Sequence, residues 1–290
     1  MEVYLSAVLQ GLCLVAIALG VYLSMKIFNI PDITTDGSYT LGGAVTAVLL
    51  THHQSLLVTV PAVMLAGAIA GAFTGLIHTK LKINALLAGI LVMTALYSVN
   101  LTIMGRSNIP LLNMSSIFNV VNLSSNPDYN TLFIVLIIVA VLILALGFLL
   151  KTDFGIAMRA TGDSEQMVRA MGVNTDRMKI IGLALANALT ALSGFLMTQF
   201  QGYADINMGI GIVITGLGSV IIAETIINWR RITSIQVSLI LVVCGAVVFQ
   251  LVLAFALVIG VDANLLKLVT ALFVLLIVSL PRLSFRKQYD

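Results

Sequence analysis

KTDFGIAMRATGDSEQMVRAMGVNTDRMK, residues 151–179, carries Lys151, Asp153, Arg159, Asp163, Glu165, Arg169, Asp176, Arg177 and Lys179, a third of the charged residues in about a tenth of the chain. The sequence on either side is almost wholly apolar. A long charged interruption between apolar blocks has to sit in water, and if the blocks are membrane spans it is a large loop presented to something in solution.

The bulk composition supports that reading. Of the 290 residues, 60% are hydrophobic and 9% charged, against roughly 25% charged in soluble domains. With a mean hydropathy of +1.10, the chain reads as a single all-α, polytopic membrane domain over residues 1–290. A net charge of +3 without a dense Lys/Arg run argues against nucleic acid as a partner. Cys13 and Cys244 lie inside apolar runs, so neither a disulfide nor a metal site is expected. The start, Met-Glu-Val-Tyr, lacks the positive region of a signal peptide, and residues 3–25 are long enough to span, so a retained helix is expected.

A bilayer core of about 30 Å needs roughly 20 apolar residues. Full spans are expected at residues 4–25, 56–77, 83–104, 131–150, 180–200, 233–257 and 263–280, with shorter glycine-rich pieces at 39–50 and 207–227. Placing residues 151–179 in the cytoplasm and alternating outward puts Lys26, Lys80, Lys82, Lys151, Arg159, Arg169, Arg177, Lys179, Arg230, Arg231, Arg282, Arg286 and Lys287 inside. Only Arg106 and Lys267 then fall outside. The alternation needs both short pieces to cross, which gives about nine crossings, within a range of about 8–10, with the N-terminus out and the C-terminus in.

The first short piece follows IPDITTDGS, residues 30–38. Pro31 and Gly37 are helix breakers, and Asp32 and Asp36 are costly at membrane depth unless they cap a helix or face water. The stretch reads as a broken or re-entrant helix, or as a cytoplasmic turn with Asp36 as N-cap. The second contains NMGIGIVITGLG, residues 207–218, and leads to Glu224. Two glycine-interrupted segments, one in each half, point to a path between the halves. Asp32, Asp36, Gly37, Ser38, Asn207, Gly209 and Gly211 are therefore candidate pathway residues, with Tyr97 and Asn100 from another span. Asn100 could instead bond to a neighbouring helix. Gly67, Gly71 and Gly75 allow close helix packing, inside the chain or between copies. His52 and His53 lack further ligands in pattern, so no metal is assigned. The outer loop, residues 105–130, is long enough to touch an external partner.

No enzyme constellation is present. There is no G-x-x-x-x-G-K-[ST], indeed no Gly-Lys pair, no H-E-x-x-H and no nucleophile elbow. The chain is read as a non-enzyme, and any energy for uphill movement must come through a partner.

TDFGIAMRATGD (residues 152–163), followed by EQMVRAMGVN (165–174), resembles the cytoplasmic loop of ATP-binding cassette (ABC) importer permeases of the branched-chain amino-acid and ribose class. In that class a G-x-x-x-R-A-x-G and then R-A-x-G-x-N pattern forms the coupling helix that docks on the ATPase. The resemblance thus implies coupling roles for Arg159, Gly162, Asp163, Glu165, Gln166, Arg169 and Gly172, on a short helix capped at Asp163 or Ser164 and ended by Gly172. PDITTDGS (31–38), residues 83–112 with LLAGIL and RSNIPLL, and QGYADINMGIG (201–211) are similar to the tryptophan/tyrosine transport permeases of the class. The resemblance implies a type II-like importer transmembrane domain in a bacterial inner or plasma membrane. It would act as a homodimer in the lipid bilayer, with two cytoplasmic ATPases holding ATP and Mg²⁺ and an extracytoplasmic substrate-binding protein. The solute implied is an aromatic amino acid such as tryptophan or tyrosine, with a branched-chain amino acid or a sugar-like solute as the alternative. Ribose-type relatives carry an additional N-terminal span that is absent here. From the residues alone, an ATPase-independent secondary transporter or channel, for which Asp32, Asp36 and Glu224 are the candidate coupling carboxylates, and a membrane scaffold remain open.

Overall fold

In the computed structural model, residues 2–112, 114, 116–119, 126–262 and 265–285 are described, the last few without side-chain detail. Arg286 and Lys287, counted above among the inner positive residues, lie outside the described residues, as does the side chain of Arg282. The helices are α1 (Glu2–Cys13), α2 (Val15–Val21), α3 (Thr34–Thr51), α4 (Leu56–Lys80), α5 (Ala85–Met104), α6 (Pro127–Leu149), α7 (Asp153–Asp163), α8 (Glu165–Ala170), α9 (Thr175–Gln201), α10 (Ile212–Arg230), α11 (Ile235–Val258) and α12 (Leu266–Phe285). Two short strands, β1 (Asn108–Pro110) and β2 (Tyr203–Asp205), pair antiparallel.

Helices α4, α5, α6, α9, α10 and α11 are each long and apolar enough to cross a membrane. The first expected span is a broken one. Segments Val3–Cys13 and Val15–Ile27 meet at 41°, the second ending in a π-helical turn, Tyr22–Ile27. Ser193 Oγ, from α9, donates to the Cys13 carbonyl at the break at 2.9 Å. Such a bond satisfies backbone that the bend would expose to hydrocarbon. The molecule is thus a helical, multi-pass membrane protein.

The first expected break is present between Ile27 and Thr34, at Pro31 rather than at Gly37. Gly37 does not break α3, which is continuous from Thr34; a Cβ there would crowd Leu96 and Met93 of α5. Residues 207–211 form turns ahead of α10, and α10 itself runs 19 residues without interruption. Glycine is used in the first case for close approach and in the second, at Gly211 with φ +82°, for a left-handed turn.

Helix α9 is the central post. In its most apolar stretch 78% of residues are buried, against 22–33% in the other five spans, whose remaining surface is left for lipid or partners. Lipid supplies no hydrophobic drive for helices to associate, so close packing of small residues carries much of the work. Gly67 and Gly71 of α4 lie against the carbonyls of Asn187 and Leu183 of α9, and Gly75 against Ile180. Their four-residue repeat therefore serves packing within the chain.

Candidate functional site

Asp32 is 3% exposed. Its Oδ1 accepts the Thr34 N–H at 2.9 Å and so caps the start of α3; its Oδ2 accepts from Asn187 Nδ2 at 2.7 Å. Asn187 also donates to the Leu183 carbonyl, and its Oδ1 accepts from Ser38 Oγ at 2.7 Å. Asn187 lies inside the apolar stretch 180–200, so the start of α3 is held against the apolar part of α9 rather than its charged end. Thr34 and Thr74 share a further hydroxyl bond at 2.7 Å.

Asp36 caps a helix, but not its own. Its two carboxylate oxygens accept the N–H groups of Gly211 and Val213 at 2.8 and 2.9 Å, satisfying first-turn donors of α10 that otherwise have no partner. Gly209 lies so close to the Asp36 carbonyl and Thr40 that a side chain there would collide. The two halves of the chain therefore meet at Asp36.

Five of the nine pathway candidates line one cavity of about 240 Å³: Asp36, Gly37, Tyr97, Asn100 and Gly209. Tyr97 is half exposed, whereas Asn100 is buried and donates to the Gly37 carbonyl at 3.2 Å. Asp32 and Ser38 bond to α9 instead, and Gly211 contributes its N–H to Asp36. Asn207 is set apart, its N–H bonded to Asp205 Oδ1 at 2.8 Å, on a second cavity with Tyr203 and Met208.

The charged loop folds into α7 and α8. Thr152 Oγ1 caps α7, accepting from Gly155 N. Ser164 occupies the N-cap position of α8 without a side-chain bond, while Asp163 is the last residue of α7. Gly172, with φ +87°, ends the segment. Glu165 and Arg169 fasten α8 onto α9. Arg169 donates to Glu165 Oε1 and Thr175 Oγ1, both at 2.9 Å, and to Asp176 at 3.3 Å, while Lys179 donates to Glu165 Oε2. That Lys179 bond is the main cause holding the Glu165 carboxyl below the ordinary carboxylate range. Gln166, Met167 and Met171 are left exposed at the tip. Gly162 abuts the Ile27 carbonyl with no room for a side chain. Arg159 turns away from the tip into a cavity with Tyr22, Lys26 and Asp163.

Asn187 was absent from the sequence reading. The signal available was a single carboxamide in a run of Ala, Leu and Thr, LALANALTA (residues 183–191), a residue that in hydrocarbon has to find a partner.

The family model described as "Branched-chain amino acid transport system / permease component" matches residues 3–279. The chain is 40% identical over 271 residues to a tyrosine transport system permease protein of Clostridioides difficile, covering 93% of this chain and 88% of the relative. It is 27% identical over 206 residues to a probable branched-chain amino acid transport permease of Methanocaldococcus jannaschii, with 67% and 65% covered. A ribose import permease of Haemophilus influenzae is 24% identical over 219 residues, with 72% and 64% covered. No solved structure matches the chain.

Proposed function

The chain belongs to the branched-chain amino acid transport permease family, and from that premise we propose that it is the membrane subunit of an ABC importer carrying an aromatic amino acid, tyrosine or tryptophan, inward. The observation that carries the reading is the stapled α7–α8 projection. Its internal ion pairs leave Gln166, Met167 and Met171 outward as a tip for an ATPase groove, and Gly162, at the junction of the two helices, is seated on Ile27. In this proposal Arg169 positions the tip rather than entering the groove.

Movement imposed on the tip reaches the pathway through packed atoms. Gly162 bears on Ile27, residues 28–31 lead to Asp32, and Asp32 with Asn187 fixes the start of α3. Asp36 passes the displacement of α3 to α10 beside the cavity lined by Tyr97 and Asn100. The permease works as a homodimer with two ATPases, which bind ATP and Mg²⁺, and an extracytoplasmic binding protein. It makes nine crossings, counting α3 and α12 with the seven longer spans, and the loop end faces the cytoplasm. Tyrosine is favoured by the identity to the tyrosine permease; a branched-chain amino acid or ribose-like solute is the second reading, supported by the more distant relatives.

An ion-coupled secondary transporter would need a carboxylate free to exchange ions. Asp32 and Asp36 are held by two hydrogen bonds each, and Glu224 pairs with Lys26 at 3.1 Å, which speaks against that class. The deciding experiment is uptake into proteoliposomes holding the permease, its ATPase and its binding protein, offered labelled tyrosine, tryptophan, leucine and ribose. ATP-dependent uptake of the aromatic pair is expected. Uptake of leucine or ribose alone overturns the solute, and uptake that survives removal of the ATPase overturns the mechanism.

A further inference from the structure

Where the end of the first span, α7, the end of α10 and the start of α11 meet, a further polar cavity of about 250 Å³ is lined by Tyr22, Lys26, Arg159, Asp163 and Ser238, with isoleucines between them. The transport reading leaves it without a task. Its central cation is Arg159, whose Nε is buried without a hydrogen-bond partner. Among the described residues, no carboxylate lies within ion-pair distance of its guanidinium. A buried donor left unpaired is costly, and because Arg159 as a whole is only half-buried an acceptor entering the cavity can reach its guanidinium.

The surroundings say what kind. Lys26 is committed to Glu224, and Asp163 is the carboxylate that lines the cavity. Arg230 and Arg231, both exposed, stand in the chain between the lining residues Ile227 and Ile232, so the neighbourhood is basic in balance. Ile227, Ile232 and Ile235 make the walls apolar. Beside them Trp229 is 76% exposed, with the Arg230 guanidinium 4.8 Å from its ring centre. An exposed tryptophan beside cations at the end of apolar helices marks the headgroup layer of a bilayer. Basic pockets between helices at that level suit phosphate-bearing headgroups.

We propose that this cavity binds the phosphodiester of an anionic phospholipid. Arg159 donates to the phosphate oxygens, Arg230 and Arg231 hold the rim, and the acyl chains run along α10 and α11. Because Arg159 belongs to α7, the lipid seats the loop from its membrane side. The proposal requires only that this end of the molecule lies at a bilayer surface, so it stands or falls separately from the solute and the ATPase.

Trp229 is the chain's single tryptophan and serves as the probe. The full-length chain is placed in phosphatidylcholine nanodiscs containing a small fraction of brominated phosphatidylglycerol or brominated phosphatidylcholine, and quenching is followed. Brominated phosphatidylglycerol is expected to quench at about fivefold lower mole fraction, the preference that one basic residue near the surface confers. Arg159→Gln is expected to abolish the preference, Arg230→Gln to retain it in part, and Asp163→Asn, at an exposed position, to strengthen it. Excess inorganic phosphate, which offers the same oxygens without the acyl chains, is expected to leave the quenching unchanged. The proposal is overturned by equal quenching from the two lipids, by a preference that survives Arg159→Gln, by an unchanged or weaker preference in Asp163→Asn, or by relief with inorganic phosphate.

Discussion

Asn187 ties three parts of the chain with one carboxamide: Asp32, Ser38 and its own helix. Water is not at hand to replace a lost partner inside a bilayer. Asn187→Ala leaves a buried carboxylate short of a donor, and it should lower stability by about 1–3 kcal/mol. Thermal unfolding of the detergent-solubilised chain measures this; a variant melting with the parent would show that the network has slack. Glu165 makes a different kind of prediction. Its carboxyl titrates below the ordinary range, chiefly through the Lys179 bond. Its ordering of α8 is therefore fully present above the usual carboxylate pKa of about 4.3 and is lost as pH falls through the depressed value. The pairs are partly exposed, so each contributes no more than about 1 kcal/mol. Amide protection across α8, corrected for intrinsic exchange, should hold from pH 7 to about 5 and fall below about 4. Glu165→Gln should be unprotected and flat over that range; equal pH dependence in both chains would remove Glu165 from the account. Neither partnership was visible in the sequence by local pattern. The Asp32–Asn187 bond joins residues 155 positions apart, and periodicity says nothing about which buried polar groups will meet.

Among the helices, hydropathy located α4, α5, α6, α9 and α11, because about 20 apolar residues leave few alternatives in a bilayer, but it set α10 among the short pieces and α12, whose apolar part is Leu266–Ser279, among the full spans. The breaks at Pro31 and at residues 207–211 were legible, but not the role of each glycine, because glycine has two uses. At Gly37 it admits α5 against an unbroken helix, and at Gly211 it turns the chain. The actual 41° bend falls at Leu14, in a run of residues with no breaker beside it. The charged loop stood out as a motif, yet which of its side chains point outward came only from the geometry. Arg169 faces inward as a staple, and Arg159 faces the membrane helices. Gly162→Val tests the seat of α7 directly, since its side chain would have to displace the Ile27 backbone. The variant is expected to retain the ATPase on co-purification, because the exposed tip is untouched, while ATP-dependent uptake falls at least tenfold. Uptake at the parent rate would show that force does not pass through this contact.

For the whole molecule, family membership covers nearly the full chain, and the charged ends sort accordingly. Lys26, Lys80, Lys179 and the α7–α8 loop gather at one end, joined by pairs such as Lys80–Asp176 at 3.5 Å; β1 and β2 close the other. In a background lacking Cys13 and Cys244, cysteines at Gln166 and Arg231 should react with an impermeant maleimide only after cells are opened. Cysteines at His53 and Asn207 should react in intact cells. The reverse pattern would invert the orientation, and with it the direction assigned to transport.

The pairing of β1 with β2 has a consequence for how this protein can vary. Main-chain bonds hold the ribbon, with Ile109 opposite Ala204 and both turned inward at 3% and 0% exposure. Exchange of the outward neighbours Asn108 and Tyr203 leaves those bonds in place. A single added or deleted residue in either strand would turn the inward pair outward and present backbone where side chains belong. The ribbon end of the molecule is therefore forgiving of spelling and strict about counting.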